Sequence, residues 1–245
     1  MPEYKYTSGK LHRSHLLHYI DASFGGVTPI WFLIGKDIED TSVALNPDTE
    51  TKKNILDETS VQDNGYEPAL DVDTYYANPE DAIYEKLKAI AMRRLTGDQC
   101  KTKILEVIID KTTGAYEAYT EDVIVKPQSY GGPQGGVNIP YNIAFAGNRQ
   151  NGSVTFNNKV PTFAPTTITL SQTTVTVADG SSVTITATTV PASQTVTWTS
   201  SDDDVALVEN GEITGVDAGT AVITAKMTVN GIVYTATCMV TVTGV

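Results

Sequence analysis

The sequence predicts a mainly β protein in two parts: an α+β N-terminal domain with one packed helix, residues 1–163, and an all-β sandwich, residues 164–245. Three observations carry this reading. Composition breaks near Phe163, where charged, tyrosine-containing segments give way to a Thr- and Val-rich stretch whose only Lys or Arg is Lys226. A single stretch, Asn78–Gly97, combines helical spacing with start and stop signals. Beyond residue 164, short runs of apolar and polar residues recur between turn signals, the pattern of an immunoglobulin-like sandwich. The seam Val160-Pro161-Thr162-Phe163-Ala164-Pro165 holds two prolines and reads as a short, stiff linker.

Taken in chain order, the first strand signal is Thr28–Gly35. From Lys36 to Tyr66 the chain turns polar, and its centre, Asn46–Asn54, has almost no apolar residue. That stretch reads as a loop longer than a compact domain needs, and such loops tend to carry function. The helix follows. Asn78 suits the N-cap and Pro79 the first helical position, where its missing N–H costs nothing. Glu80 and Asp81 place negative charge on the first turn, and Ile83, Leu87, Ile90, Ala91 and Leu95 form one apolar face. Arg93 and Arg94 suit the far end, with Gly97 as the terminating glycine. Strands are then predicted over Lys103–Asp110, Tyr116–Lys126, Val137–Gly147 and Gly152–Phe156.

In the second part the predicted strands are Thr167–Leu170, Thr173–Val177, Val183–Thr189, Val196–Thr199, Ala206–Val208, Glu212–Val216, Thr220–Thr228 and Ile232–Val242. Asn210-Gly211 and Asn230-Gly231 are the sharpest turn signals, because a type I′ hairpin turn needs positive φ at both central residues.

The 245 residues carry a net charge of −12, with 40% hydrophobic and 19% charged residues. That balance fills a core and argues against gripping nucleic acid, which needs Lys and Arg to displace counterions. Acids outnumber bases by six on each side of Ala164. The two cysteines, Cys100 and Cys238, fall in different domains and form no C-x-x-C, which excludes a disulfide framework or a zinc knuckle. The N-terminal stretch lacks the apolar core of a signal peptide, and no run reaches the ~18 apolar residues of a membrane span. Export is therefore expected only within a larger assembly or on lysis.

Several motifs look chemical and read more simply as structure. His12, His15 and His18 recur every third residue, but only Asp21 stands near enough in sequence to extend a ligand set, so a polar N-terminal arm or an assembly contact is the plainer reading. Gly131–Gly136 is followed by Val137-Asn138 where a phosphate loop needs Lys and Ser or Thr. Asp202-Asp203-Asp204 lacks the glycine and distal Glu of a calcium loop and reads as a solvated turn. No Gly-x-Ser-x-Gly elbow exists, so catalytic, cofactor and metal sites are all predicted to be none.

The segment ITLSQTTVTVADGSSVTITATTVPASQTVTWTSSDDDVALVENGEITGVDAGTAVITA resembles the bacterial Ig-like domain, group 2. The text that carries this is Val196-Thr197-Trp198, Ser200-Ser201-Asp202, Val208-Glu209-Asn210-Gly211 and Gly215 through Gly219-Thr220. Trp198 is the expected core plate of that sandwich. The N-terminal part resembles the major tail-tube protein of long-tailed, siphovirus-like phages. Its matching residues are Trp31–Gly35 with Lys36-Asp37, Asn46-Pro47, Asn54-Ile55-Leu56, Gly65-Tyr66-Glu67-Pro68, Val123–Gly136, Tyr141–Ile143 and Gly147 through Val154.

This second resemblance implies a β-barrel or sandwich-type tail-tube fold in a non-enzymatic virion protein. Its subunits would form hexameric rings stacked into a tube through which DNA passes without specific binding. Implied partners are other copies of the chain, a tape measure and a tail terminator, in a tail assembled in the host cytoplasm. The polar residues Asn46, Pro47, Asp48, Thr49, Glu50, Thr51, Lys52, Lys53 and Asn54 would then reach a neighbouring ring. The Ig-like domain would project outward for weak attachment to a cell-surface glycan. Two rival readings are a surface adhesin or carbohydrate-binding module, and the tube protein of a contractile injection system or phage-derived bacteriocin.

Overall fold

A computed structural model describes residues 4–36, 38 and 40–244. Asp37, one of the residues carrying the tail-tube resemblance, lies outside these. The chain separates into two compact units, Met1–Thr162 and Phe163–Val245, each treated separately below. Among the described residues the fold is mainly β, with one α-helix.

In the first unit, β1 (Leu16–Asp21), β2 (Trp31–Ile34), β3 (Val43–Ala44), β4 (Pro47–Lys53), β5 (Thr59–Tyr66) and β6 (Ala69–Val72) precede the helix α1 (Tyr84–Arg93). After it come β7 (Lys101–Ile108), β8 (Tyr116–Pro127), β9 (Tyr141–Phe145), β10 (Gln150–Asn157) and β11 (Val160–Pro165). The main sheet runs β2-β1-β7-β8-β9-β6-β3. β8 is long enough to be used twice along one edge: residues 116–120 pair with β10 and residues 123–127 with β9, while β7 pairs along the other edge. That division makes the sheet diverge and curl around a common strand.

The sheet is covered on both faces. On one, Ile83 and Leu87 bury with Ile20, Ile104, Val123, Val125 and Tyr141. On the other lie the buried side chains of Leu17, Tyr19, Leu105, Val107 and Val154, with the Tyr4, Tyr19 and Tyr116 rings 5.0–6.4 Å from that of Phe156. β1, buried without interruption from Leu17 to Asp21, therefore shows none of the alternation that marks a half-exposed strand.

Three expectations are corrected here. The seam Val160–Pro165 is a strand, β11, which pairs β10 through a turn at Asn158-Lys159, both at positive φ; it is not a free linker. The helix begins five residues later than Pro79: Asn78 accepts the Glu80 N–H at 3.1 Å and caps an irregular turn leading into Tyr84. It ends at Arg93, with Arg94 as the left-handed C-cap and Leu95 beyond the helix; Gly97, also at positive φ, lies past the helix end and does not terminate it. Finally, the polar stretch after Lys36 is a β-hairpin (β4 and β5), not a loop.

The second unit holds β12 (Thr167–Leu170), β13 (Thr174–Ala178), β14 (Ser182–Thr184), β15 (Ala187–Val190), β16 (Thr197–Ser200), β17 (Ala206–Glu209), β18 (Glu212–Gly215), β19 (Gly219–Val229) and β20 (Ile232–Thr243). They form sheets β13-β20-β19-β16, β14-β18-β17 and β12-β15. The predicted strand Val183–Thr189 is two, because the chain leaves the β18 ladder at Ile185 and joins β12. Asn210-Gly211 and Asn230-Gly231 have positive φ at both residues, as their hairpin turns require. Val175, Ile185, Ile213, Ile223, Cys238 and Val240 form the core between sheets.

Candidate assembly surface

The hairpin β4–β5 is the feature that the rest of the fold least explains. Only Gly65 among its strand residues is better than exposed, so the arm buries no apolar face. An isolated two-stranded ribbon is marginal in water. Side-chain hydrogen bonds hold this one at both ends. At the base, Asn46 takes a left-handed φ of 45°, its Nδ2 donates to the Glu67 carbonyl at 3.0 Å, and its own carbonyl accepts the Glu67 N–H at 3.2 Å. At the tip, Asn54 Oδ1 accepts the N–H groups of Leu56 (2.9 Å) and Glu58 (3.1 Å), and its Nδ2 donates to Glu58 Oε2 at 2.6 Å.

Between these ends, Pro47, Asp48, Thr49, Glu50, Thr51, Lys52 and Lys53 form β4 itself. The ladder slips between Asp48 and Thr49, where Asn64 opposes no residue, and Lys52 Nζ donates across to Gln62 at 2.9 Å. The nine predicted contact residues thus form one continuous arm. The sequence reading missed what the arm carries at its end: Ile55 is 101% exposed and Leu56 73%, two large apolar side chains held in water by the Asn54 turn.

Two further surfaces accompany the arm. The main sheet is open at β2, whose outer backbone edge has no strand partner among the described residues. Beside that edge lies a groove of about 350 Å³ lined by Leu16, Leu17, Leu33, Ile34 and Ile38, with Arg13 at its wall. Arg13 donates to the carbonyls of Thr41 (3.1 and 3.2 Å) and Leu16 (2.5 Å), but has no carboxylate partner among the described residues.

The histidines do not converge. The His15 Nδ1 accepts the His12 N–H at 2.9 Å, while His18 is buried in β1 with Nε2 3.5 Å from Glu106. Glu106 in turn meets Arg149 at 2.6 Å, and Arg149 reaches Glu121 at 2.9 Å and lies over the Tyr119 ring. Burial pushes the Glu106 carboxyl up, but His18 and Arg149 outweigh it and hold the group below its ordinary value. This is a structural clasp joining β1, β7 and β8 to the segment before β10.

In the second unit Trp198 is half-buried, packing against both apolar clusters. The outer face of β13-β20-β19-β16 is lined with threonine in cross-strand rows, among them Thr199–Thr224–Thr237 and Thr176–Thr241–Thr220. Those four strands contain no acid, and Lys226 is their one charged residue. All seven acids of the unit lie elsewhere, including Glu209 and Glu212 on the three-stranded sheet and Asp202–Asp204 in a turn. The face is therefore acid-free and hydroxyl-rich within an acidic unit, with Lys226 as its one cation and the exposed Val222 and Met239 between the threonine rows.

No helix among the described residues is long and apolar enough to cross a membrane. Over 80 residues the chain is 45% identical to a minor capsid protein of Enterobacteria phage T3, a match covering 32% of this chain and 18% of that protein. The chain thus spans under a fifth of that relative's length. Residues 164–239 match the family model of the bacterial Ig-like domain (group 2), and the sandwich formed by the second unit is an Ig-like domain of that description.

Proposed function

We propose that the chain is a non-enzymatic structural protein of a phage particle, a tail-tube subunit whose first unit polymerises and whose Ig-like unit supplies weak attachment. The observation that carries this is the β4–β5 arm: twenty residues from Pro47 to Tyr66 that bury nothing in their own chain and present two apolar residues at the tip. A fold gains nothing by itself from such an element, whereas a neighbouring copy would cover it. The open β2 edge supports the same reading, since unpaired strand edges invite another chain and a closed ring removes them. Hexameric rings stacked along the arm's direction of reach are the proposed assembly, with a tape measure and tail terminator as further partners. The likeness to a phage capsid protein supports a place in a virion.

The acid surplus of the first unit fits passage of DNA without retention, because an acidic wall repels phosphate and forgoes the counterion release that makes basic grooves bind. In the Ig-like unit, the acid-free threonine face of β13-β20-β19-β16 is the proposed attachment surface for a hydroxyl-rich, uncharged glycan. Repetition along a tube would raise weak binding by roughly 10²–10⁴ where several copies engage.

Negative-stain electron microscopy of the full chain at rising concentration tests the first part. Rings or tubes are expected, both from the full chain and from one lacking residues 166–245. Monomers at every concentration would sink the tube reading and favour an attachment protein. For the second part, Thr199→Asp with Thr237→Asp should leave the tubes intact and abolish their retention on neutral polysaccharide; unchanged retention would rule the face out.

A further inference from the structure

The arm's tip and the β2 groove are chemically matched, and one chain carries both. The tip reads Ile55-Leu56-Asp57-Glu58: two exposed apolar side chains followed at once by two acids. The groove has an apolar floor of Leu16, Leu17, Leu33, Ile34 and Ile38 and one cation, Arg13, that carbonyls hold in place and no described carboxylate neutralises. The tip cannot serve its own groove, because Ile55 and Leu56 stand in water in the folded chain. The seven residues of β4 carry it roughly 20 Å from its base.

We infer that the arm of one copy docks in the β2 groove of a second copy, Ile55 and Leu56 filling the apolar floor and Asp57 or Glu58 facing Arg13. This rests on the self-assembly proposed above and names the two surfaces that meet. Each copy gives one arm and receives another at a different site, so unless two copies exchange arms reciprocally the contact is heterologous and builds a ring or a filament. The apolar pair supplies the affinity, and the acid–arginine pair fixes register.

The experiment uses two full-length variants, Leu56→Cys and Leu16→Cys; Leu16 lines the groove and is exposed, and the natural Cys100 and Cys238 are buried. Mixed and treated with a short bismaleimide, they should give a cross-linked dimer that neither variant gives alone. Adding Ile55→Asp to the first should abolish it. In parallel, the chain with Ile55→Asp and Leu56→Asp should self-associate at least about tenfold more weakly by sedimentation, with an unchanged thermal melt. Assembly that persists in this double variant, with no cross-link between the cysteine pair, overturns the docking inference and leaves the tube reading standing. A wild-type chain that never self-associates overturns both.

Discussion

Trp198 stands where the two apolar clusters of the Ig-like unit meet, and it also roofs the Asn210-Gly211 turn. A Cβ added at Gly211 would sit 3.2 Å from its ring and 2.3 Å from the Ile185 carbonyl, and the glycine's φ is 87°. Two substitutions follow from this contact. Trp198→Ala should lower the unfolding free energy of the second unit by about 3 kcal/mol, the lower end for an aromatic truncation because the ring is half-buried. Gly211→Ala should also destabilise, through strain rather than lost area. Urea titration followed by far-UV circular dichroism measures both. At Glu106 the effect depends on pH. The folded carboxyl lies below its ordinary value, so its stabilising contribution is complete at neutral pH and is lost as pH falls below that value. Urea midpoints at pH 7 and near pH 4 should differ less in Glu106→Gln than in the parent chain. An equal difference would mean that the clasp contributes nothing.

The elements divide into those that hold the fold and those that do not. Leu87 is fully buried where α1 meets the sheet, and Leu87→Ala should destabilise the first unit by about 3 kcal/mol. Replacing Asp48–Asn64 by a two-residue turn should move the melting temperature by only a few degrees while eliminating assembled species, because the arm buries no apolar face. Differential scanning calorimetry and electron microscopy of one preparation give both readouts. The same contrast explains what could be read from sequence. β7, β8, β19 and β20 alternate in burial and their strands are legible as periodicity. β1 is buried on both faces, so Leu16–Asp21 carries no period-two signal. The arm is exposed on both faces, so Pro47–Lys53 reads as polar chain and its strand pairing is invisible. Its length and polarity did single it out in the sequence as the proposed contact element. The groove was not legible, because it draws Arg13, Leu33 and Ile38 together from separate segments.

At the scale of the whole molecule, a net charge of −12 acts on association more than on folding. Copies approaching one another repel, and the one arginine–carboxylate contact proposed per interface would offset little of it. Raising the ionic strength from about 0.01 M to 0.15 M shortens the screening length from roughly 30 Å to 8 Å. Self-association should therefore strengthen with salt over that range, as sedimentation velocity would show; weakening would mean that the arginine contact dominates. Both cysteines are buried, so the oxidation state of the medium should leave assembly unaffected.

The order of strands in the Ig-like unit has a consequence for synthesis on the ribosome. β20 lies inside the four-stranded sheet, pairing parallel with β13 on one side and antiparallel with β19 on the other. No earlier strand can substitute for it, so that sheet stays open until Ile232–Thr243 has emerged. The first unit's main sheet needs nothing beyond β11 and is complete while the second is still being translated. If the first unit is the polymerising one, as proposed, it is ready before the Ig-like unit, and on a polysome crowded with sister chains the arms and grooves of neighbours would meet first.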